Sequence, residues 1–101
     1  MVGSTRIGRI ANDPPAAMEF AAEMTNYIKE HYNQTAQCWL RVGGPTGQIV
    51  WQLNFEDMTA LEKFNENILG DAEYWAKVHG AQERNLFDAA AFEDGIWRQL
   101  V

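Results

Sequence analysis

Two pairs of side chains in this 101-residue chain stand at a spacing that suits chemistry. Trp75 and His79 are four residues apart, and so are Tyr27 and His31. On a helix, residues four apart share a face and can line one wall of a pocket. An imidazole titrates near neutral pH, so His79 or His31 could serve as a general base. Tyr27 offers an apolar ring with a hydroxyl able to orient a polar ligand atom, while Trp51 and Trp75 supply flat apolar walls. The candidate set is therefore His79 and His31 for catalysis, with Tyr27, Trp51 and Trp75 for ligand binding. The same spacings also suit a plainer arrangement, with aromatic residues in the core and histidines at helix ends favoured by the dipole. Convergence of these groups on one void is what separates the two.

Other reactive residue types lie in less promising settings. Cys38 falls inside an alternating apolar series, without a cation or helix start nearby, and is expected to be a small buried hydrophobe. The two histidines lie on separate predicted helices, and no His, Cys or carboxylate spacing matches a metal ligand set. Gly43-Gly44-Pro45-Thr46-Gly47 is glycine-rich but follows a strand into a hairpin, and it lacks the lysine and helix start of a phosphate loop. Arg6, Arg9 and Arg41 would hold an anion only if the fold made them adjacent. No cofactor motif is present, and none is expected.

The elements that must position these groups follow from periodicity. Thr5 to Ala11 is short, β-branched and roughly alternating, a strand pattern. Asp13 is placed to cap a helix whose first turn holds Pro14 and Pro15. Ala17, Phe20, Ala21, Met24, Tyr27, Ile28 and His31 then form one helical stripe, with Glu19, Glu23, Asn26, Lys29 and Glu30 facing water. Residues 35–42 and 48–56 alternate in period two around a glycine-rich loop, which predicts a β-hairpin. Thr59 and Glu62 are spaced as a capping box opening a second helix. Gly70-Asp71 interrupts it, and a further helix is expected to carry Ala72, Trp75, Ala76 and His79 on one face and to end near Gly80. Ala89-Ala90-Ala91 favours a helical turn, Glu93-Asp94-Gly95 favours a turn, and residues 96–101 read as a last strand.

Strand, helix, strand, strand, helix, strand is the split β-α-β order, an α+β ferredoxin-like domain spanning residues 1–101. Its four-stranded antiparallel sheet carries the helices on one face. Ile49, Trp51, Leu53 and Phe55, with Ala36, Cys38, Leu40 and Val42, are expected to face them. Trp39, Val50 and Gln52 then fall on the open face, and a tryptophan and a valine there suit a second subunit better than water. A chain this short buries only about two thirds of its unfolded surface, so pairing would supplement a modest core. A homodimer through the open sheet face is the partner expected.

Charge and composition narrow the function. The net charge is −6 and the eight basic residues are scattered, which argues against nucleic acid and anionic membrane surfaces. One cysteine allows no internal disulfide, no apolar run is long enough to span a bilayer, and residues 1–6 lack a signal-peptide pattern. A cytoplasmic location is expected.

In element order along the whole chain, this sequence resembles the dimeric α+β barrel superfamily, with its antibiotic-biosynthesis-monooxygenase, EthD-like, stress-responsive and NIPSNAP-like groups. The resemblance also rests on Phe55-Glu56-Asp57-Met58-Thr59-Ala60-Leu61-Glu62-Lys63-Phe64, where a strand passes through an acidic turn into an amphipathic helix. Gly70-Asp71-Ala72-Glu73-Tyr74-Trp75 is similar to the helix restart common in these groups, with Ala72 where proline is usual. The resemblance implies two sheets packed face to face, helices outside, and a pocket between sheet and helices in each subunit. It implies no single function, because such proteins include cofactor-independent oxygenases, haem-degrading enzymes, isomerases, dehalogenating enzymes and proteins without known activity. The Asn, Trp and His set of the haem-degrading branch does not align with Trp75 and His79. Two functions stay open: a small aromatic or apolar ligand bound or transformed in a sheet–helix pocket, by cofactor-independent oxygenase-like or isomerase-like chemistry, or a binding or assembly module without catalysis.

Overall fold

The computed structural model describes residues 1–101. Strand β1 (Val2–Arg9) is followed by helix α1 (Pro14–Tyr32), strands β2 (Ala36–Leu40) and β3 (Gln48–Phe55), and helices α2 (Met58–Leu69) and α3 (Ala72–Glu83). A three-residue 3₁₀ turn, Ala89–Ala91, leads into strand β4 (Glu93–Arg98). The sheet is antiparallel in the order β2-β3-β1-β4, the ferredoxin-like order expected from the sequence.

Pairing register sorts the side chains into rows, because residues opposite one another share a face. On the helix-facing side, one row is Cys38, Trp51, Arg6 and Asp94, and the next is Ala36, Leu53, Ser4 and Ile96. On the open side, Trp39, Val50, Ile7 and Glu93 form one row, and Gln37, Gln52, Thr5 and Gly95 the next. The face predicted to carry Trp39, Val50 and Gln52 therefore does carry them. Ile7 joins the apolar group, and Trp97 stands on the same face beside Gly3. Along the helix-facing line, Ala36 is buried, whereas Cys38 and Leu40 are exposed and Val42 lies beyond the strand. An edge strand has sheet neighbours on one side only, so burial there falls short of the alternation.

Two apolar clusters hold the layers together. Val2, Phe55 and Leu61 pack with Leu53, Ala60 and Phe64. Ala17, Ala81 and Leu86 pack with Ile10, Phe20 and Phe87. The second cluster depends on the segment after α3, which folds back so that Ile10 bridges to Phe87 and the Leu86 carbonyl accepts from Ala11 N at 2.8 Å.

Element boundaries differ from expectation at several points. Helix α2 is capped by Asp57, whose carboxylate accepts from Ala60 N at 2.9 Å, so Thr59 lies inside the first turn and the predicted capping box is not the start. Replacing Asp57 by Ala is expected to lower stability by about 1 kcal/mol, and Thr59→Ala by much less, in urea unfolding. Equal losses would contradict the assignment. Helix α3 runs through Gly80, where an added Cβ would meet no other part of the chain within 4 Å, and its half-buried or buried face carries Tyr74, Val78 and Ala81. Of the four residues expected on one face, Trp75 is half-buried, and Ala72, Ala76 and His79 are exposed. Glu93-Asp94-Gly95 belongs to β4, and residues 99–101 lie beyond it. In the hairpin, Gly44 and Gly47 take positive φ (88° and 82°), which explains glycine at both positions.

Candidate functional site

Tyr27 and His31 do share a face of α1. Their rings stack at 3.9 Å with 20° between planes, and His31 Nδ1 lies 3.1 Å from the Tyr27 carbonyl oxygen. The buried Tyr27 hydroxyl turns to the α2–α3 junction, where it donates to Asp71 at 2.8 Å. Tyr32 donates to the same carboxylate at 2.5 Å, and Tyr74 N donates to it at 3.0 Å as the first capped amide of α3. Two phenols and one backbone N–H thus converge on a single helix cap. Lys77 lies over the Tyr27 ring at 5.7 Å and pairs with Glu23 at 3.0 Å.

This knot has a definite electrostatic character. The Tyr32 hydroxyl and the Tyr74 amide hold the Asp71 carboxyl below its ordinary value, because both favour the anion. Burial and the bond to Asp71 raise Tyr27 well above the usual phenol range and push Tyr32 up to about 12. Asp71 therefore adds stability that is present above the unfolded carboxylate pKa of about 4 and is lost as pH falls through its lower folded value. The phenols add stability that is present below about pH 10 and is lost as pH rises through their higher folded values. Asp71→Asn is expected to lower Tm at pH 7 and to flatten the fall in Tm between pH 5 and about 2, where protonation removes the ion. An unchanged acid limb would refute this role.

Trp75 and His79 do not face a common void with that pair. Trp75 Nε1 donates to the Ile68 carbonyl at 2.9 Å, tying α3 back to α2. His79 is exposed, with Nδ1 3.2 Å from Gln82 Oε1. Trp51 stands elsewhere again, on the helix-facing side of β3 with Phe87 edge-on at 5.5 Å. Its indole N–H is the one buried side-chain polar atom without a partner.

Around Trp51 the structure assembles residues not chosen from the sequence. Arg6, its cross-strand neighbour, donates from Nε and Nη2 to Asp94 at 2.8 and 2.9 Å, so the guanidinium is neutralised in a planar fork. That fork holds the Asp94 carboxyl below its ordinary value. Phe92 lies beneath the Arg6 guanidinium at 5.9 Å and 6.2 Å from Phe87. Gly8 forms the floor: a methyl group there would sit 2.8 Å from Phe92 Cε1 and 3.2 Å from Trp51 Cζ3. No local pattern marks Phe87, Phe92 and Asp94, since sheet register and chain return bring them to Trp51. Arg41, by contrast, staples the hairpin through Gly43 O and Gln48 Oε1, both at 2.8 Å.

Two recesses lie away from this group. A cavity of about 420 Å³ is lined by polar residues at the end of α1 and start of β2, among them Lys29, Asn33 and Gln37. Another of about 260 Å³ lies on the open sheet face beside Ile7, Trp39 and Val50. Neither is lined by Tyr27, His31, Trp51, Trp75 or His79. No group of three or more His, Cys, Asp or Glu residues is arranged to hold a metal ion, and no helix is long and apolar enough to cross a membrane.

No family model matches the chain, and no curated protein matches it in sequence. Solved structures do match in shape. A NIPSNAP domain protein from Burkholderia xenovorans superposes with a TM-score of 0.79 at 16% identity, over 98% of this chain and 94% of that one. SnoaB from Streptomyces nogalater, described as a cofactor-independent oxygenase, gives 0.72 at 13% identity over 99% and 93%. An antibiotic-biosynthesis-monooxygenase-type protein from Nitrosomonas europaea gives 0.73 at 12% over the full length of both chains. At such identities the likeness is one of fold, and in fold this chain is a ferredoxin-like α+β domain with a four-stranded antiparallel sheet.

Proposed function

We propose that this protein is a homodimeric binding domain that takes a small, flat, neutral aromatic ligand against Trp51, between the sheet and its helices. The observation that carries the ligand reading is the buried, unpartnered Trp51 indole N–H. Leaving a buried donor unpaired costs about 1–3 kcal/mol, and a ligand oxygen would recover that cost. Phe87 stands edge-on to Trp51, with Phe92 beyond it, and the charge of Arg6, the cross-strand neighbour of Trp51, is already cancelled by Asp94. A flat apolar body with one hydrogen-bond acceptor fits such surroundings.

Binding without proton transfer by His31 or His79 is the form of this reading that the geometry favours. Tyr27, His31, Trp75 and His79 each have a polar atom at hydrogen-bonding distance from a group of the chain itself. Pairing through the open face is supported by Trp39 and Trp97, 53% and 64% exposed on one face with Ile7 and Val50. Only fourteen residues of the chain are buried, a thin core that a second copy would supplement.

Calorimetric titration tests the ligand reading with chromone, a flat bicyclic ketone, and naphthalene, which lacks the acceptor. Chromone is expected to bind more tightly than naphthalene. Trp51→Phe is expected to weaken chromone by about 2–10-fold, one net hydrogen bond, while leaving naphthalene unchanged. Equal effects on both compounds, or no binding of either, would overturn the reading.

A further inference from the structure

We propose that two copies pair about a two-fold axis running along the strands, so that Trp39 of each copy lies on the partner's Trp97 and Arg41 meets the partner's Glu93. The arrangement rests on the pairing through the open face proposed above, and adds its orientation and its contacts.

The open face is built unevenly. On β2, at one edge of the sheet, Trp39 is 53% exposed and walls the recess of about 260 Å³. On β4, at the other edge, Trp97 is laid down against the sheet. Its indole N–H donates to Thr5 Oγ1 at 2.9 Å, and a Cβ on Gly95 would meet Trp97 Nε1 at 2.9 Å and Cε2 at 3.3 Å. Glycine lets a ring lie that close to a strand. The outer side of the ring is left to solvent, since Trp97 is 64% exposed. One edge therefore offers a projecting indole, and the other a flat deck.

Charge follows the same division. Arg41 continues the Trp39 side of β2, its backbone N–H donating to the Gln48 carbonyl at 2.9 Å, while Glu93 begins β4 on the open face opposite Ile7. Neither has an ionic partner, the ion pairs of the chain being Arg6–Asp94 and Lys77–Glu23. In a two-fold contact the same patch meets itself, so each pair of unlike residues forms twice. The outer strands lie three strand spacings apart, about 14 Å. An axis along the strands exchanges them and lays β2 of each copy over the partner's β4. An axis across the strands sets β2 on β2 and β4 on β4, which separates the unlike pairs. Trp39 stands one row from Gly95, over which the Trp97 ring lies, and Arg41 stands one row from Glu93 in the same direction. One shift of about 7 Å along the strands therefore serves both pairs.

Disulfide trapping and equilibrium ultracentrifugation test the arrangement, in a Cys38→Ser background because Cys38 is exposed. Oxidising a mixture of Arg41→Cys and Glu93→Cys chains is expected to trap a covalent dimer, and neither chain alone is expected to do so. Trp39→Ala and Trp97→Ala are each expected to weaken the dimer at least about 30-fold, and the double variant little further, because both delete the same contact. Gly95→Ala, which lifts the indole from the sheet, is expected to weaken it as well. If wild type dimerises but Arg41→Cys traps with itself, no mixed disulfide forms, or the two tryptophan losses add in full, this arrangement is overturned and pairing through the open face stands. If wild type is a monomer, both are overturned.

Discussion

On the proposed pairing through the open face, Trp39→Asp is expected to turn a dimer into a monomer at micromolar concentration, seen as a halved mass in light scattering after size exclusion. Trp39 stands in the open-face row with Val50 and Ile7, beside a recess of about 260 Å³ that a partner side chain can enter. Removing a central interface tryptophan commonly costs at least about 2 kcal/mol, which is roughly a 30-fold weaker dimer. A carboxylate desolvated in its place costs more. Because Trp39 is 53% exposed in the single chain, the fold should survive, and far-ultraviolet circular dichroism should be unchanged. A variant that keeps the dimer mass would show that copies pair elsewhere.

The second large effect falls on stability. Leu86→Ala is expected to cost about 2–5 kcal/mol, the range for deleting a buried leucine side chain and leaving a cavity. Leu86 is 1% exposed and packs with Ala17 of α1 and Ala81 of α3, so it joins both helices to the returning segment. Leu100, which is 90% exposed, provides the comparison: Leu100→Ala should change the urea midpoint hardly at all. Similar losses for the two leucines would mean that the segment after α3 does not hold the core.

That contrast also marks where the sequence was informative. Helix α1 was legible because its stripe from Ala17 to Tyr27 repeats over several turns, with Asp13 and two prolines marking the start. The hairpin was legible because two alternating runs flank Gly43-Gly44-Pro45-Thr46-Gly47. Leu86 and Phe87 were not, because a segment without periodicity is positioned by tertiary contacts alone. Asp94 looked like part of a turn, yet it is a strand residue whose partner Arg6 lies 88 positions away. Gly80 looked like a helix end, but a glycine on an open face costs a helix only about 1 kcal/mol, which the flanking turns absorb. At α2, Asp57 and Thr59 are both capping residues two positions apart, and the spacing of Thr59 to Glu62 pointed to the wrong one.

The candidate site was legible in part. Tyr27 and His31 are neighbours as their spacing required, but their destination, Asp71, is 44 residues from Tyr27 and invisible to helical periodicity. Trp51 was correctly placed on the helix-facing side of β3, whereas its surroundings came from strand pairing and the chain return. Phe92 and Gly8 are separated by almost the whole chain, so their close approach exists only in the folded sheet.

The indole N–H of Trp51 offers the most direct test of the ligand site. The chain has four tryptophans, so a proton–nitrogen correlation spectrum should contain four indole signals, with that of Trp51 identified by its loss in Trp51→Phe. Chromone should shift the Trp51 signal downfield and saturably, as an unpaired donor gains an acceptor, while naphthalene should not produce that downfield shift. A Trp51 signal unmoved at saturating chromone, with Trp39 or Trp97 shifting instead, would contradict the site and place the ligand on the open face.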